Sequence, residues 1–416
     1  MTTTFEQLGF REVLQIKAVQ RLWVAQVVSV FGDFLALFAA ISHVTFNLHA
    51  SPMQIAAISI AFLIPIALIG PVAGVFVDRW NIKRTMIASD LIRAALVLLL
   101  VFTQSLGWIY VTLFLMGAVS TFFLPAQVIT IRAIAPPEGL ISVNALMHQA
   151  VQLVRIISPT LAGVIVGRFG ATPGYLIDSV SFLISAAMIS TLLIAREPAV
   201  PAKDRHPINA VTNDLLASVK FIFTHATLTL AILGMMAGIF AISCFASLTA
   251  VYVRDELKSS EIVFGTINSL IGIGMIVGTL AINRIAKQWP KNHLVLGGLL
   301  AMGVFILLTG AVKNIPAAAI GMFGVGLGVV FVMVSAQTMI QVHTPVEMMG
   351  RVSSSVWALL SVAQLPGLVF SGTMTEQIGI TYVFYATAVM LVLMTIYGYF
   401  SLPQGQAKTT MSASSD

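Results

Sequence analysis

Twelve stretches of this chain are apolar over about 20 residues or more, and only short polar segments separate them. They lie at roughly 22–48, 53–76, 85–104, 107–130, 141–167, 174–195, 222–253, 262–283, 293–312, 315–342, 351–375 and 380–402. Each is near the length that crosses the hydrocarbon of a bilayer as a helix, allowing for tilt. Twelve such spans nearly exhaust 416 residues, so no sizeable soluble domain is expected. Composition agrees: 9% of residues are charged, against about 25% in a soluble domain. The expected class is an all-α, polytopic membrane protein. The net charge of +6 is read as membrane orientation and attraction to anionic headgroups, with no nucleic-acid partner implied.

The longest polar interval follows the sixth span and contains Arg196, Glu197, Pro198, Pro201, Lys203, Asp204, Arg205, His206 and Pro207. It divides the chain into an N-terminal six-helix bundle (1–195), a cytoplasmic linker (196–221), a C-terminal six-helix bundle (222–402) and a small polar tail (403–416) expected to be disordered. Placing both termini inside puts sixteen of the 22 Lys and Arg residues in the cytoplasm and four (Arg168, Arg254, Lys258 and Lys313) outside. A multi-pass protein of the plasma (inner) membrane with cytoplasmic termini is therefore expected. The first span is too long for a signal-peptide core and is read as retained.

Between spans 2 and 3 runs Gly70-Pro71-Val72-Ala73-Gly74-Val75-Phe76-Val77-Asp78-Arg79-Trp80-Asn81-Ile82-Lys83-Arg84. Gly70 and Gly74 bare one face of a helix end, and Asp78, Arg79, Lys83 and Arg84 form a basic turn that cannot lie in hydrocarbon. Gly74, Asp78, Arg79, Lys83 and Arg84 resemble the Gly-x-x-x-Asp-Arg-x-x-Arg-Lys/Arg loop of the major facilitator superfamily, with Asn81 where a Gly is frequent. Gly70, Gly74 and Lys83 recur 204 positions later as Gly274, Gly278 and Lys287; Ala126-Gln127, Pro136, Glu138 and Gly163 recur at offsets of 209 or 210 as Ala336-Gln337, Pro345, Glu347 and Gly372. Two pseudo-repeated six-helix bundles in the major facilitator fold are the architecture this resemblance implies, with the pathway between them. The phrases Ala88–Ala94 and Tyr175–Phe182 resemble its macrolide-efflux/enterobactin-exporter branch. Ser158-Pro159-Thr160-Leu161-Ala162-Gly163 resembles an antiporter element of span 5, with Ser158 and Ala162 replacing two glycines; Pro159 and Gly163 would give a bend and close packing.

Ionisable side chains within spans mark function or a structural pairing. Asp33, near the middle of span 1, has no opposite charge within a helical turn; it is either a proton or cation site or a structural hydrogen-bonding group. His148, Gln149, Gln152 and Arg155 share one face of span 5. His148, Gln152 and Arg155 are candidate pathway residues beside Asp33, and Arg155 is a candidate partner for it. Asp90 and Arg93, three apart on span 3, form either a permanent ion pair or, with Gly70, Gly74, Asp78, Arg79, Lys83 and Arg84, a cytoplasmic gate. Asp178 and Arg168 are expected at the outer interface.

The one cysteine, Cys244, permits no internal disulfide and belongs to no metal-ligand cluster. No P-loop or clustered nucleophile, acid and base is present, so neither an enzyme nor a cofactor is expected. The resemblance implies proton-coupled efflux of a small amphiphilic compound (a drug, macrolide or siderophore-like molecule) by alternating access, for which a monomer suffices. A lipid or lysolipid flippase on the same fold is the alternative within transport. A non-transporting receptor is the alternative outside it.

Overall fold

The computed structural model describes residues 8–77, 80–103, 105–194, 218–286, 289–345 and 348–401. The expected linker (but for 218–221) and the expected tail lie outside that set, as do Asp78 and Arg79. So do the side chains of His148, Gln152, Arg155 and Pro159 and the surroundings of Gly74. Within it there is no strand, and twelve helices are long. We label them α1 (Lys17–Ser42), α2 (Pro52–Val77), α3 (Ile82–Leu99), α4 (Leu106–Ile134), α5 (Leu140–Phe169), α6 (Thr172–Ser190), α7 (Ala226–Val251), α8 (Glu261–Ile285), α9 (Lys291–Ala311), α10 (Ile315–His343), α11 (Met349–Ile378) and α12 (Ile380–Ser401). A short helix, Phe10–Gln15, precedes α1. Ten of the described helices are long and apolar enough to cross a membrane. α3 and α5 are the two long helices outside that number, and α3 carries Lys83, Arg84, Asp90 and Arg93 within its 18 residues.

The turns explain where the helices stop. α1 runs into a π-helical turn, His43–Asn47, after which His49 takes a left-handed conformation (φ 49°) and Pro52 opens α2. Proline suits that first position because its missing N–H would have no helical partner. Asn81 caps α3, its Oδ1 accepting from the Arg84 backbone N–H at 3.0 Å. An Asn does there what a frequent Gly cannot: it satisfies one of the free N–H groups of the first turn. Gly170 ends α5 at φ 77°, a conformation that costs glycine little.

These features recur at one spacing. α1 with its π turn matches α7 with the π turn Tyr252–Glu256, boundary for boundary, 209 residues later. α4 and α10, and α5 and α11, keep the same offset. The left-handed residues form two pairs at that spacing, His49 with Lys258 (φ 48°) and Gly170 with Gly379 (φ 87°). The offset also relates Trp80 to Trp289, each bonded through its N–H to a carbonyl four residues back. The 204-residue pairing of Gly70, Gly74 and Lys83 with Gly274, Gly278 and Lys287 is therefore not the structural register. α2 and α8 begin 209 apart, and the glycines coincide only by composition.

The chain packs as two compact units. One comprises 1–202 with 246–272 and 368–378, and the other 203–245, 273–367 and 379–416. In the first, Val19, Leu22, Val77, Met86, Phe123, Ala126, Val143, Met147, Ile189 and Leu192 share one core. In the second, α9 and α10 come close enough that a Cβ on Gly298 would lie 2.8 Å from the Gly328 carbonyl oxygen. Small residues permit such contact where lipid offers no hydrophobic drive for helices to associate.

Burial runs opposite to that of a soluble protein on two helices of the first unit, α3 and α6. α6 hides Tyr175, Asp178, Ser179, Phe182 and Ser185 and exposes Leu176, Ile177, Val180, Leu183 and Ile184. α3 hides Ser89, Asp90 and Arg93 and exposes Leu91, Ile92 and Leu99. The polar stripe turns inward because hydrocarbon, not water, lies outside. That inversion places every charged side chain of mid-α3 and α6 in one spot.

Candidate functional site

That spot lies among α1, α3, α4 and α6. Arg93 is 4% exposed and bonds through Nη2 to Asp90 Oδ1 at 2.5 Å. Its other terminal nitrogen, Nη1, stands 3.9 Å from Asp33 Oδ2 on α1. The guanidinium also lies over two aromatic rings, Phe123 of α4 at 4.6 Å and Phe182 of α6 at 4.3 Å from Cζ to ring centroid. Two aromatic faces hold a planar cation in a way a lysine could not match. Asp90 and Arg93, one helical turn apart, are thus a buried pair rather than surface charges.

Asp178 of α6 is fully buried beside them. Ser181 Oγ donates to the Asp178 backbone carbonyl at 2.7 Å and lies 3.2 Å from its Oδ1, sharing one proton between them, and the carboxyl faces Asp33, Arg93 and Asp90. Its Oδ2, like Arg93 Nε, has no hydrogen-bond partner among the described residues. Gly32 makes the arrangement fit: a Cβ at that position would collide with Ser181 Oγ and with the Asp178 carboxyl. The residue before Asp33 is thus the point where α1 touches α6. Ser179 Oγ bonds to the Ala94 carbonyl at 3.1 Å and ties α6 to α3. Gln127 of α4 donates to Gln26 of α1 at 2.5 Å. Asp33 keeps 34% of its side chain exposed, the largest share among the three carboxyls and Arg93.

Three carboxyls therefore meet one guanidinium. Asp33, Asp90 and Arg93, seen from the sequence as two separate features, are one. Asp178 corrects the expectation of an interfacial residue: it begins the buried stripe 178, 181, 185 on α6 and has no exposed surface. The stripe's spacing of three and four was the signal in the sequence. Nearness to the start of span 6 masked it, because a helix rises only about 1.5 Å per residue and six residues already carry a side chain some 9 Å inward. Phe123, Phe182 and Gly32 had no signal, since each takes its meaning from a partner on another helix.

The other candidates among the described residues lie elsewhere. Lys83 Nζ donates to the Leu192 carbonyl at 2.9 Å, and Arg21 Nη1 to the Thr191 carbonyl at 3.2 Å. Both cations cap the C-terminal end of α6, where carbonyls without helical partners and the helix dipole favour positive charge. Arg84 is exposed, and Gly70 faces Thr121 with room for a Cβ. Gly163 packs against the backbone of Gly265, and Gly372, 209 residues later, against Met53. These two crossings are one contact made twice. No group of three metal-ligating side chains occurs among the described residues.

The duplicated helices, the inward polar stripes and a family comparison converge. The model of the Major Facilitator Superfamily matches residues 22–368 and again 239–414. The chain belongs to the major facilitator superfamily. Relatives of this superfamily member include the MFS-type transporter YfiS of Bacillus subtilis (strain 168), 24% identical over 387 residues and 91% of each chain. Macrolide efflux protein A of Streptococcus pyogenes is 23% identical, covering 90% of this chain and 93% of its own. The multi-drug resistance efflux pump PmrA of Streptococcus pneumoniae is 23% identical, covering 94% and 96%. Among solved structures, a bacterial homolog of the human lysosomal transporter Spinster, inward-facing and unoccupied, superposes with a TM-score of 0.75 at 12% identity, covering 92% of this chain and 96% of that one. The nucleoside transporter NupG gives 0.74 at 12%, covering 92% and 98%. At such identity these two share the major facilitator fold and nothing finer follows. The protein is a multi-pass membrane transporter of this superfamily.

Proposed function

We propose that this transporter exports a small amphiphilic compound, of the drug, macrolide or siderophore-like kind, in exchange for protons moving inward. The observation that carries the reading is the excess of carboxyls in the buried cluster: Asp33, Asp90 and Asp178 against Arg93 alone. Charge in a membrane interior is expensive unless balanced. One ionised carboxyl balances Arg93, which leaves Asp33 free to take up and give back a proton. Asp33, the exposed member, exchanges its proton with solvent and is the coupling residue. When it is ionised it draws Arg93 from Asp90; when it is protonated Arg93 returns. A change of pairing among helices α1, α3 and α6 is the differential interaction that a proton needs to shift a two-state equilibrium.

Alternating access then follows from rocking of two bundles, 1–195 and 222–402, joined by the linker 196–221. Lys83, with Gly70, Gly74, Asp78, Arg79 and Arg84, serves the cytoplasmic gate, and His148, Gln152 and Arg155 line the pathway. Pro159 and Gly163 let α5 bend and pack closely. Both termini lie in the cytoplasm and the membrane is the plasma (inner) membrane. The monomer is the working unit. Efflux by the macrolide and multi-drug relatives supports the direction.

The test is proton flux in proteoliposomes carrying a pH-sensitive dye, with ethidium, erythromycin and a catecholate siderophore added in turn. A substrate-triggered pH change that is lost in Asp33→Asn is the expected result. Substrate movement with no pH response to any compound overturns antiport.

A further inference from the structure

The cluster holds a carboxyl that the coupling scheme above leaves without a task. Asp178 is fully buried, whereas Asp33 is one-third exposed. Arg93 is bonded elsewhere in this arrangement: Nη2 holds Asp90 Oδ1, Nη1 stands 3.9 Å from Asp33 Oδ2, and Cζ lies over the rings of Phe123 and Phe182. Among the described residues no cation lies within ion-pair distance of Asp178. What it has is one hydroxyl, Ser181, on Oδ1, and an Oδ2 with no partner among those residues. The groups that face it are Asp33 from α1, Asp90 and Arg93 from α3, and Ser181 from its own helix. A carboxylate so placed, beside two others while the one guanidinium is bonded to Asp90, is an unbalanced charge in hydrocarbon. A carboxylic acid there is neutral and leaves no charge to balance.

We infer that Asp178 is a second proton-holding carboxyl of the coupling site, storing a proton on Oδ2 while Asp33 exchanges with solvent. Gly32 fixes the pairing, because only a residue without a side chain lets the backbone beside Asp33 lie against Asp178 and Ser181. Asp178 releases its proton when Arg93 turns from Asp90 and Asp33 toward it, so that the cluster's positive charge always faces the carboxyl that is ionised. The transporter thereby has places for two protons in each cycle. This inference rests on the proton-antiport reading and extends it from one residue to two.

The experiment is infrared difference spectroscopy of the full chain in lipid nanodiscs near neutral pH, with exchange into heavy water. It needs no substrate. The expected result is a protonated-carboxyl band that exchanges slowly, is lost in Asp178→Asn and is shifted but retained in Asp33→Asn. Ser181→Ala, which removes a hydrogen bond and leaves the carboxyl in place, raises its frequency and decides the matter should Asp178→Asn not fold. A band absent from the unaltered protein, surviving Asp178→Asn, unmoved by Ser181→Ala, or emerging only in Arg155→Gln overturns the inference. The last outcome would make Arg155 the counter-ion. Dye-monitored ethidium exchange on the same samples separates the two failures. A band lost in Asp178→Asn without proton-coupled exchange overturns antiport alone; coupled exchange with the band persisting in Asp178→Asn overturns the role of Asp178 alone.

Discussion

Arg93 is the residue on which the cluster depends. Replacing it with Gln leaves Asp90 buried without its cation, a change that costs about 3–5 kcal/mol when one partner of a buried pair is removed. Denaturant unfolding in detergent should show a loss of that order for Arg93→Gln, and adding Asp90→Asn should recover much of it. Lack of recovery would mean that Arg93 stabilises through Phe123 and Phe182 and not through charge. Gly32 acts by what it lacks. Even Gly32→Ala puts a methyl group into the Ser181 hydroxyl and the Asp178 carboxyl, and overpacking of this kind costs about 1–3 kcal/mol. The same unfolding assay should register it, and an unchanged midpoint would deny the close approach of α1 and α6. Asp33, Asp90 and Arg93 were legible in the sequence because a charge inside an apolar run stands out by itself. Asp178 was not, for it stands near a span's start, where a charge is ordinary.

Helix ends do separate work from helix middles. Lys83 at the start of α3 and Arg21 near the start of α1 converge on the carbonyls just past α6, so they clamp the end of the helix that carries Asp178. A cation at a helix C-terminus contributes about 0.3–1 kcal/mol when exposed and up to about 2 when partly buried. Lys83→Met should therefore raise amide hydrogen exchange over 189–194 several-fold while leaving mid-α6 protected. Uniform exchange along α6 would instead mean global loosening. At the other end of the first unit, Arg254 donates to the carbonyls of Thr45 and Ala50 at 2.8 and 3.0 Å while Asp255 holds its Nε and Nη2. Thr45 is the residue that the 209-residue repeat pairs with Arg254, so one copy of the π turn is tied to the other by a side chain that only one copy has. Arg254→Gln should raise maleimide labelling of Asn47→Cys several-fold in a Cys244→Ser background. Labelling that does not change would make Arg254 a mere surface residue.

At the scale of the molecule the repeat is clearest in the backbone. Val44, Leu48 and Ser51 are matched by Val253, Leu257 and Ser260, but the residues between them differ, and a 204-residue pairing of glycines looked as good. What identifies the true spacing is conformation: paired π turns, paired left-handed residues and paired helix boundaries. Glycines are frequent enough in membrane helices to align at several offsets, whereas a left-handed His or Lys is rare. The proposed topology makes its own prediction. Val312→Cys, between α9 and α10, should react with an impermeant maleimide in intact cells, and Trp80→Cys, between α2 and α3, only after permeabilisation; both positions are exposed. The reverse pattern would invert the orientation drawn from Lys and Arg.

The class of this protein follows from sequence alone, because hydrocarbon tolerates so few arrangements that length and apolarity settle the element type. The family followed from sequence too, through residues close together in one loop. The site needed tertiary structure. A guanidinium has no preferred partner until helices from residues 17–42, 82–99, 106–134 and 172–190 pack, and then it has three carboxyls and two aromatic rings within reach. Spacing along one helix shows which residues share a face; only packing shows what that face meets.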